Sequence, residues 1–154
     1  MFKAVQDLEH FLRFIKGEKY LVNLVPAKGV ADRSTHIRPH KPFYRSAEDI
    51  LAERQAYFRG NTSGMRDVYA RIQDVRYVLA DDIPTKDLHK VYQYRPTLVV
   101  ETSRDNHQVW FRCDSIETPA EQHNAARWLV HAIGADKGAI GPNHLARLPG
   151  FYNR

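Results

Sequence analysis

Two adjacent aspartates, Asp81 and Asp82, follow directly after an apolar segment with the character of a buried strand, RYVLA (76–80). Hard divalent cations such as Mg²⁺ prefer carboxylate oxygens, with water and substrate phosphates completing a near-octahedral shell. Neighbouring residues of a regular strand point to opposite faces, so both carboxylates can serve one site only where the strand ends or bulges. Pro84 favours such an ending. The alternative is an ordinary Asp-Asp turn ahead of a proline, and the pair alone does not decide between them.

A second polar segment, ETSRDNHQVWF, is predicted to turn at SRDN and to continue as a strand. On that strand Gln108 and Trp110 share one face, while His107, Val109 and Phe111 share the other. Trp110 and Phe111 are expected to be core residues rather than base-stacking platforms. The segment therefore places a polar side chain, Gln108, on the same strand face as Trp110.

Two segments near the end of the chain carry further candidates. Asp136, in GADKGAI, follows a helix end where a strand would begin beside the central ones; its alternative role is that of a turn residue. In LARLPGFYNR, Arg147, Asn153 and Arg154 surround a Pro-Gly turn. Carboxylates combined with a cluster of phosphate-seeking guanidiniums are what metal-assisted phosphoryl transfer requires.

The elements that must position these residues follow from hydrophobic spacing and from turn signals. The predicted order is helix 2–16, strand 20–25, an irregular stretch 27–45, helix 46–58, a short helix 65–73, strand 76–80, helix 85–92, strands 97–102 and 107–113, a helix from Thr118 to Gly134, and a helical turn near 143–147.

The predicted helix after Thr118 has a favourable start, because a capping residue is followed by a proline and then by an acid at the third position. Its expected buried residues are Ala125, Trp128, Leu129, Ala132 and Ile133. The succession of elements is a split βαββ pattern. It predicts an α+β fold with a mixed or antiparallel, ferredoxin-like (RRM-like) sheet flanked by helices.

The 154 residues carry a net charge of +5, which favours a polyanionic partner, most commonly nucleic acid. An unremarkable basic surface is the alternative. Arg38, Lys41 and Arg45 belong to a basic loop that forms either a groove for single-stranded DNA or a solvated surface. No apolar run reaches the roughly 20 residues needed to cross a bilayer, and the single cysteine, Cys113, allows no internal disulfide. These features predict a cytoplasmic protein without a membrane partner.

The segments VLADDIP, PTLVVETSRDNHQVWF, GADKGAI and LARLPGFYNR occur in that order and at characteristic spacings. In this the chain resembles the catalytic domain of plasmid RepB-type replication primases, of the archaeo-eukaryotic primase superfamily. The resemblance covers residues 75–154 well and the N-terminal half in general layout. It implies one primase-like domain over 1–154, with an N-terminal α/β part (1–60) and a metal-site core (61–154). Family members usually continue beyond the position of Arg154, which implies a trimmed or minimal form.

By this resemblance, Asp81, Asp82 and Asp136 are the catalytic acids that hold two divalent ions, Mg²⁺ or Mn²⁺. Gln108 takes the middle-strand position where the wider superfamily commonly has a nucleotide-contacting histidine. Residues of the last segment bind nucleotide or template phosphate; they are Arg147, Asn153 and Arg154. The implied partners are a single-stranded DNA template, nucleoside triphosphates, and a helicase or replication initiator.

Two other functions stay open at this stage. One is a catalytically silent module that binds single-stranded DNA or recognises an origin, with salt-sensitive binding that needs no divalent metal. The other is a rolling-circle nicking endonuclease, which also uses a ferredoxin-like sheet. That enzyme needs a His-hydrophobic-His strand, and no His-x-His occurs in this sequence.

Overall fold

The structure, a computed structural model, describes residues 2–26, 43–62, 66–140 and 144–152. These residues form four α-helices and seven β-strands, which confirms the predicted α+β class with antiparallel pairing. The chain divides into two compact units, Met1–Gln73 with Arg147–Arg154, and Asp74–Ala146. The assignment of one catalytic domain to residues 1–154 stays a prediction. Within the described part, no helix is long and apolar enough to cross a membrane.

The first unit is built on a sheet whose strand order is β2-β1-β3-β7. Strand β1 pairs antiparallel with both neighbours, and its alternate residues Tyr20, Val22 and Leu24 are buried. The bounds are α1 (Phe2–Phe14), β1 (Tyr20–Pro26), β2 (Phe43–Arg45), α2 (Ala47–Thr62), β3 (Arg66–Ile72) and β7 (Ala146–Arg147). As the helical spacing predicted, α1 and the residue after it bury Leu8, Phe11, Leu12 and Ile15.

The short helix predicted over 65–73 is wrong, because residues Arg66–Ile72 form strand β3. Val68, Ala70 and Ile72 alternate inward, and the strand pairs with β1 from Tyr20↔Ile72 to Pro26↔Arg66. This continuous ladder fixes the segment as a strand, and Val, Tyr and Ile are residue types that favour strands. The helical turn predicted near 143–147 is also wrong for Ala146–Arg147, which are a strand.

The second unit is built on a sheet of order β4-β6-β5, in which β6 pairs antiparallel with both neighbours. The bounds are β4 (Tyr77–Pro84), α3 (Leu88–Tyr92), β5 (Leu98–Ser103), β6 (Asn106–Arg112) and α4 (Pro119–Ile133), with 3₁₀ turns over Thr85–Asp87 and Lys137–Ile140. The predicted hairpin between β5 and β6 is confirmed, and so is the burial of Trp110 and Phe111.

Helix α4 begins and ends as its sequence predicts. The Thr118 hydroxyl accepts from the Glu121 amide, the Glu121 carboxylate accepts from the Thr118 amide, and Gly134 ends the helix at φ 78°. Its buried residues are Ala126, Leu129, Val130 and Ile133. The predicted burial of Trp128 is wrong, since 55% of this residue is exposed. At 3.6 residues per turn, a face centred on Ala126 and Val130 leaves Trp128 on the outer side of the helix.

The start of α4 makes a pH-dependent contribution to stability. Amide hydrogen bonds from Glu117 and Thr118 lower the pKa of the Glu121 carboxyl. Because the pKa of Glu121 is lower in the folded than in the unfolded chain, the ionised carboxylate stabilises the fold at pH values above the unfolded-state pKa. This stabilisation is lost as the pH falls through the folded-state pKa. We therefore expect Glu121→Gln to melt below wild type at neutral pH and the difference to close in acid. Calorimetry over a pH series measures this; a difference that persists in acid would contradict it.

Candidate active site

Strand β4 contains a β-bulge at the two adjacent aspartates. Ala80 pairs with Val109 and Ile83 pairs with His107, so Asp81 and Asp82 together lie opposite Gln108 alone. Ala80 and Ile83 are both fully buried, whereas Asp81 is half-buried and Asp82 is exposed. Asp82 has φ 57°, in the left-handed region that aspartate tolerates better than most residues. The extra residue thus keeps both carboxylates off the core face, and the alternative of an ordinary turn is wrong.

The Asp81 carboxylate accepts three hydrogen bonds. Its Oδ1 accepts from the Asp82 amide at 2.8 Å, and its Oδ2 accepts from Gln108 Nε2 at 3.0 Å. His144 Nε2 lies 3.0 Å from the same Oδ2, and it donates there because an ionised carboxylate can only accept. Burial raises the pKa of Asp81, but the hydrogen bonds from His144, Gln108 and the Asp82 amide outweigh this and leave the pKa lowered. Asp81 is therefore held as an oriented anion.

The neighbouring carboxylate is oriented by the same strand that supplies Gln108. Asn106 Nδ2 donates to Asp82 Oδ1 at 2.6 Å. Asn106 and Gln108 are two apart on β6, so they share one face of the sheet. Asn106 belongs to the SRDN turn predicted from the sequence, and this role was not predicted. The sequence feature that could have identified Asn106 is its two-residue spacing from Gln108, which places both side-chain amides beside the two aspartates.

The loop after α4 reaches the bulge through its backbone. The Asp136 amide donates to the Asp81 carbonyl at 3.0 Å, so the two main chains are adjacent. The predicted strand at Asp136 does not form, because a 3₁₀ turn over Lys137–Ile140 follows instead. The exposed Asp136 carboxylate accepts from the Gly138 amide at 3.0 Å, as in the turn role that was its alternative. Asp136 thus lies next to Asp81 while its side chain closes a turn.

His144 is a second functional candidate that could not be identified from the sequence. It contacts Asp81 across 63 positions of the chain, and it immediately precedes LARLPGFYNR in GPNHLARLPGF. The motif resemblance predicts that Gln108, on the middle strand of this sheet, takes the position at which the wider superfamily commonly has histidine. In this structure an imidazole nevertheless reaches the same carboxylate oxygen as Gln108, from a different part of the chain.

The donor set suits a cation that is shared with a substrate rather than enclosed by protein. Among the described residues, no three His, Cys, Asp or Glu side chains are grouped so that they could hold a metal by themselves. Mg²⁺ is commonly bound through one or two carboxylates, with waters and substrate phosphates as its other ligands. Asp81 and Asp82, two oriented carboxylates on one bulge, meet that requirement.

The structure places Arg147 in the first unit, where it has local partners. Its Nη1 lies 3.0 Å from Oδ2 of the buried Asp67, and its guanidinium lies 5.1 Å from the centre of the Tyr69 ring. Next to it, the Leu148 amide donates to the Val68 carbonyl at 2.9 Å. Arg147 therefore attaches the last segment of the chain to β3, whatever else it binds.

The remaining predicted binding residues lie either in the first unit or outside the described residues. Arg45 pairs with Glu53 at 2.7 Å and lies 4.6 Å from the Phe43 ring centre, all in the first unit. Asn153, Arg154, Arg38 and Lys41 lie outside the described residues. Their assigned contacts with phosphate and DNA stay predictions.

Residues 45–154 match the model of the RepB DNA-primase N-terminal domain. That match spans well over half of the chain. The protein belongs to the RepB primase family. The motif resemblance read from the sequence is thereby confirmed, and the bulge at Asp81 and Asp82 lies inside the matched range.

Two solved structures of RepB′ share the fold. The catalytic domain of primase RepB′ in complex with initiator DNA has a TM-score of 0.84 at 28% identity, over 98% of this chain and 78% of that one. Primase RepB′ has a TM-score of 0.85 at 27% identity, over 98% and 51%. Mobilization protein A of Escherichia coli is 34% identical over 131 residues, which are 82% of this chain and 18% of that relative. This RepB-type chain thus spans less than a fifth of that curated relative.

The role of Asp136 can be tested by thermal shift. Millimolar Mn²⁺ is expected to raise the melting temperature of wild type, because a ligand that binds only the folded state stabilises it by mass action. Asp136→Asn should gain less, and should melt slightly higher without metal because it relieves repulsion between acids. Asparagine can still accept from the Gly138 amide, so the turn is kept. An equal Mn²⁺ shift in both proteins would show that Asp136 serves the turn alone.

Proposed function

We propose that this RepB-type domain is a nucleotidyltransferase that makes short primers on single-stranded DNA from nucleoside triphosphates, in plasmid or phage-type replication. One observation carries the proposal. A β-bulge in a chain of the primase family presents two adjacent carboxylates, and Gln108, His144 and Asn106 orient them. Adjacent acids on a strand would otherwise point apart.

Asp81 and Asp82 would hold Mg²⁺ or Mn²⁺, with Asp136 beside them. When bound, such an ion polarises the nucleotide phosphates and the priming 3′-oxygen. The protein's own contribution is preorganisation. Its hydrogen bonds keep Asp81 ionised and fixed before substrate arrives, which lowers the cost of assembling the site.

Two polar side chains, Gln108 and His144, contribute to this preorganisation of Asp81. Gln108 is almost fully buried, with 2% exposed, and its amide fixes the carboxylate from the middle strand. His144 holds its proton at Nε2 against Oδ2, so its imidazole is oriented by the same oxygen. Losing an outer partner of this kind typically costs about 10- to 100-fold in metal affinity or activity.

The proposed partners follow from charge. A net charge of +5 favours a nucleic-acid template, and we assign Arg38, Lys41 and Arg45 to its phosphates. Arg147, Asn153 and Arg154 would contact nucleotide or template phosphate. A helicase or replication initiator would act with the domain in the cytoplasm, where its DNA and nucleotides are found.

Primer synthesis on a single-stranded template with labelled nucleotides tests the proposal. Wild type should yield product that depends on Mg²⁺ or Mn²⁺, and Asp82→Ala should yield little. Asp114→Asn is a matched control, because this exposed acid lies just beyond the other end of β6 and pairs with Arg112. Equal product from wild type and Asp82→Ala would remove Asp82 from the mechanism.

The two other functions have distinct signatures in the same experiment. A silent module would bind DNA in a salt-sensitive way, without dependence on metal and without product. A nicking endonuclease would leave a covalent protein–DNA adduct. Either result would overturn the primase proposal.

A further inference from the structure

The second unit exposes a group of aromatic side chains that takes no part in the hydrogen bonds around Asp81. Tyr92 and Trp128 are 57% and 55% exposed. Tyr94 packs partly against the core of the unit and meets Trp128 edge to face, with ring centroids 5.1 Å apart. We call this Tyr94–Trp128 pair, together with the exposed Tyr92 two residues before Tyr94, the aromatic patch. Removing such large apolar side chains from water is favourable. A group of exposed aromatic rings is therefore a candidate binding surface.

Cations border the aromatic patch. Arg95 follows Tyr94 directly, at φ 52°, and Arg127 precedes Trp128 on the outer face of α4. Both are exposed, and within the described part of the chain neither forms an ion pair. The nearest acid on that helix face, Glu121, is two turns away and is engaged in the cap. The patch therefore combines exposed rings with two exposed arginines that form no ion pair within the described residues.

We propose that the aromatic patch, with Arg95 and Arg127, is a contact surface for single-stranded DNA, separate from the residues around Asp81. Unpaired bases offer faces that stack on aromatic rings, and guanidiniums bind the phosphates between them. An apolar protein partner would not need the two free guanidiniums. This inference rests on the proposed function in that it takes the template strand as the ligand.

The two tryptophans make the surface directly measurable. Trp110 is buried, with 4% exposed, whereas Trp128 is half exposed. Oligo(dT) should therefore quench the fluorescence of wild type, and most of this quenching should disappear in Trp128→Phe. If the surface binds a protein instead of DNA, oligo(dT) will leave the tryptophan fluorescence unquenched. That result would overturn the proposal.

Affinity is measured by anisotropy of a labelled oligo(dT) at several salt concentrations. Trp128→Ala should raise Kd at least about fivefold, the low end for loss of one stacked base. Phe14→Ala, which removes a half-exposed ring of the first unit, is the matched control and should leave Kd unchanged. Arg127→Ala should reduce the slope of log K against log salt by about 0.7, as expected for one phosphate contact on a single strand.

Several outcomes decide the inference. An unchanged Kd in folded Trp128→Ala overturns it; if that variant fails to fold, unaltered quenching in Trp128→Phe or an unaltered salt slope in Arg127→Ala overturns it instead. Primer synthesis by wild type is followed in parallel. Synthesis with an unchanged Kd rejects this surface alone, whereas Trp128-dependent binding without synthesis rejects the primase proposal and keeps the surface.

Discussion

Asp81→Asn should reduce primer synthesis more than about 100-fold, because it removes the carboxylate that the other groups orient. About 100-fold is the upper end of the usual loss when one of the orienting groups is removed. Asparagine has the same shape but only one acceptor oxygen, so it cannot accept both at the Oδ2 position from Gln108 and His144 and at the Oδ1 position from the Asp82 amide, and it carries no charge for a cation. The loss should appear in the rate of nucleotide incorporation at saturating template, since no part of the proposed DNA surface is altered.

Asp114→Asn is the matched control for this experiment and should retain wild-type synthesis. Melting curves of both variants show whether the fold is kept. An Asp81→Asn protein that folds and still makes primers within a few-fold of wild type would contradict the role given to the bulge.

Arg147→Ala should destabilise the protein by about 3 kcal/mol, the low end for breaking a buried ion pair by removing one partner. Asp67 is buried, with a side chain only 6% exposed, and it would lose the guanidinium 3.0 Å away. The substitution also removes the cation that lies over Tyr69. Chemical denaturation with wild type as the reference measures the change in unfolding free energy.

The double variant Asp67→Asn/Arg147→Ala separates structure from phosphate binding. It should recover part of the stability, because no charge is then left buried. If Arg147→Ala instead keeps wild-type stability and loses only nucleotide or DNA affinity, the ion pair is incidental and the phosphate-binding role is the correct one.

The β-bulge at Asp81 and Asp82 could be predicted from the local sequence. In VLADDIP, Ala80 and Ile83 are both apolar and two acids lie between them, so a regular alternation would have buried one carboxylate. The turn between β5 and β6 and the cap at Thr118 were also readable, because each depends on residues within four positions.

Contacts between residues far apart in the sequence could not be predicted. His144 reaches Asp81 across 63 positions, and Arg147 pairs with Asp67 across a similar span. No local periodicity encodes such pairings. Strand β3 was missed for the same reason, since its ladder with β1 is tertiary. Trp128 was assigned to the wrong face of α4 because the pattern of apolar residues allowed two stripes, and packing chose the one through Ala126 and Val130.

We propose that Asp81 and Asp82 form a divalent-metal site for nucleotidyl transfer. A crystal soaked with Mn²⁺ and a nucleoside triphosphate, measured at the manganese absorption edge, tests it most directly. We expect an anomalous peak in contact with the carboxylates of Asp81 or Asp82 and with the nucleotide phosphates, on the side of the bulge that faces Asp136. A nucleotide bound with its manganese away from both aspartates would contradict the claim.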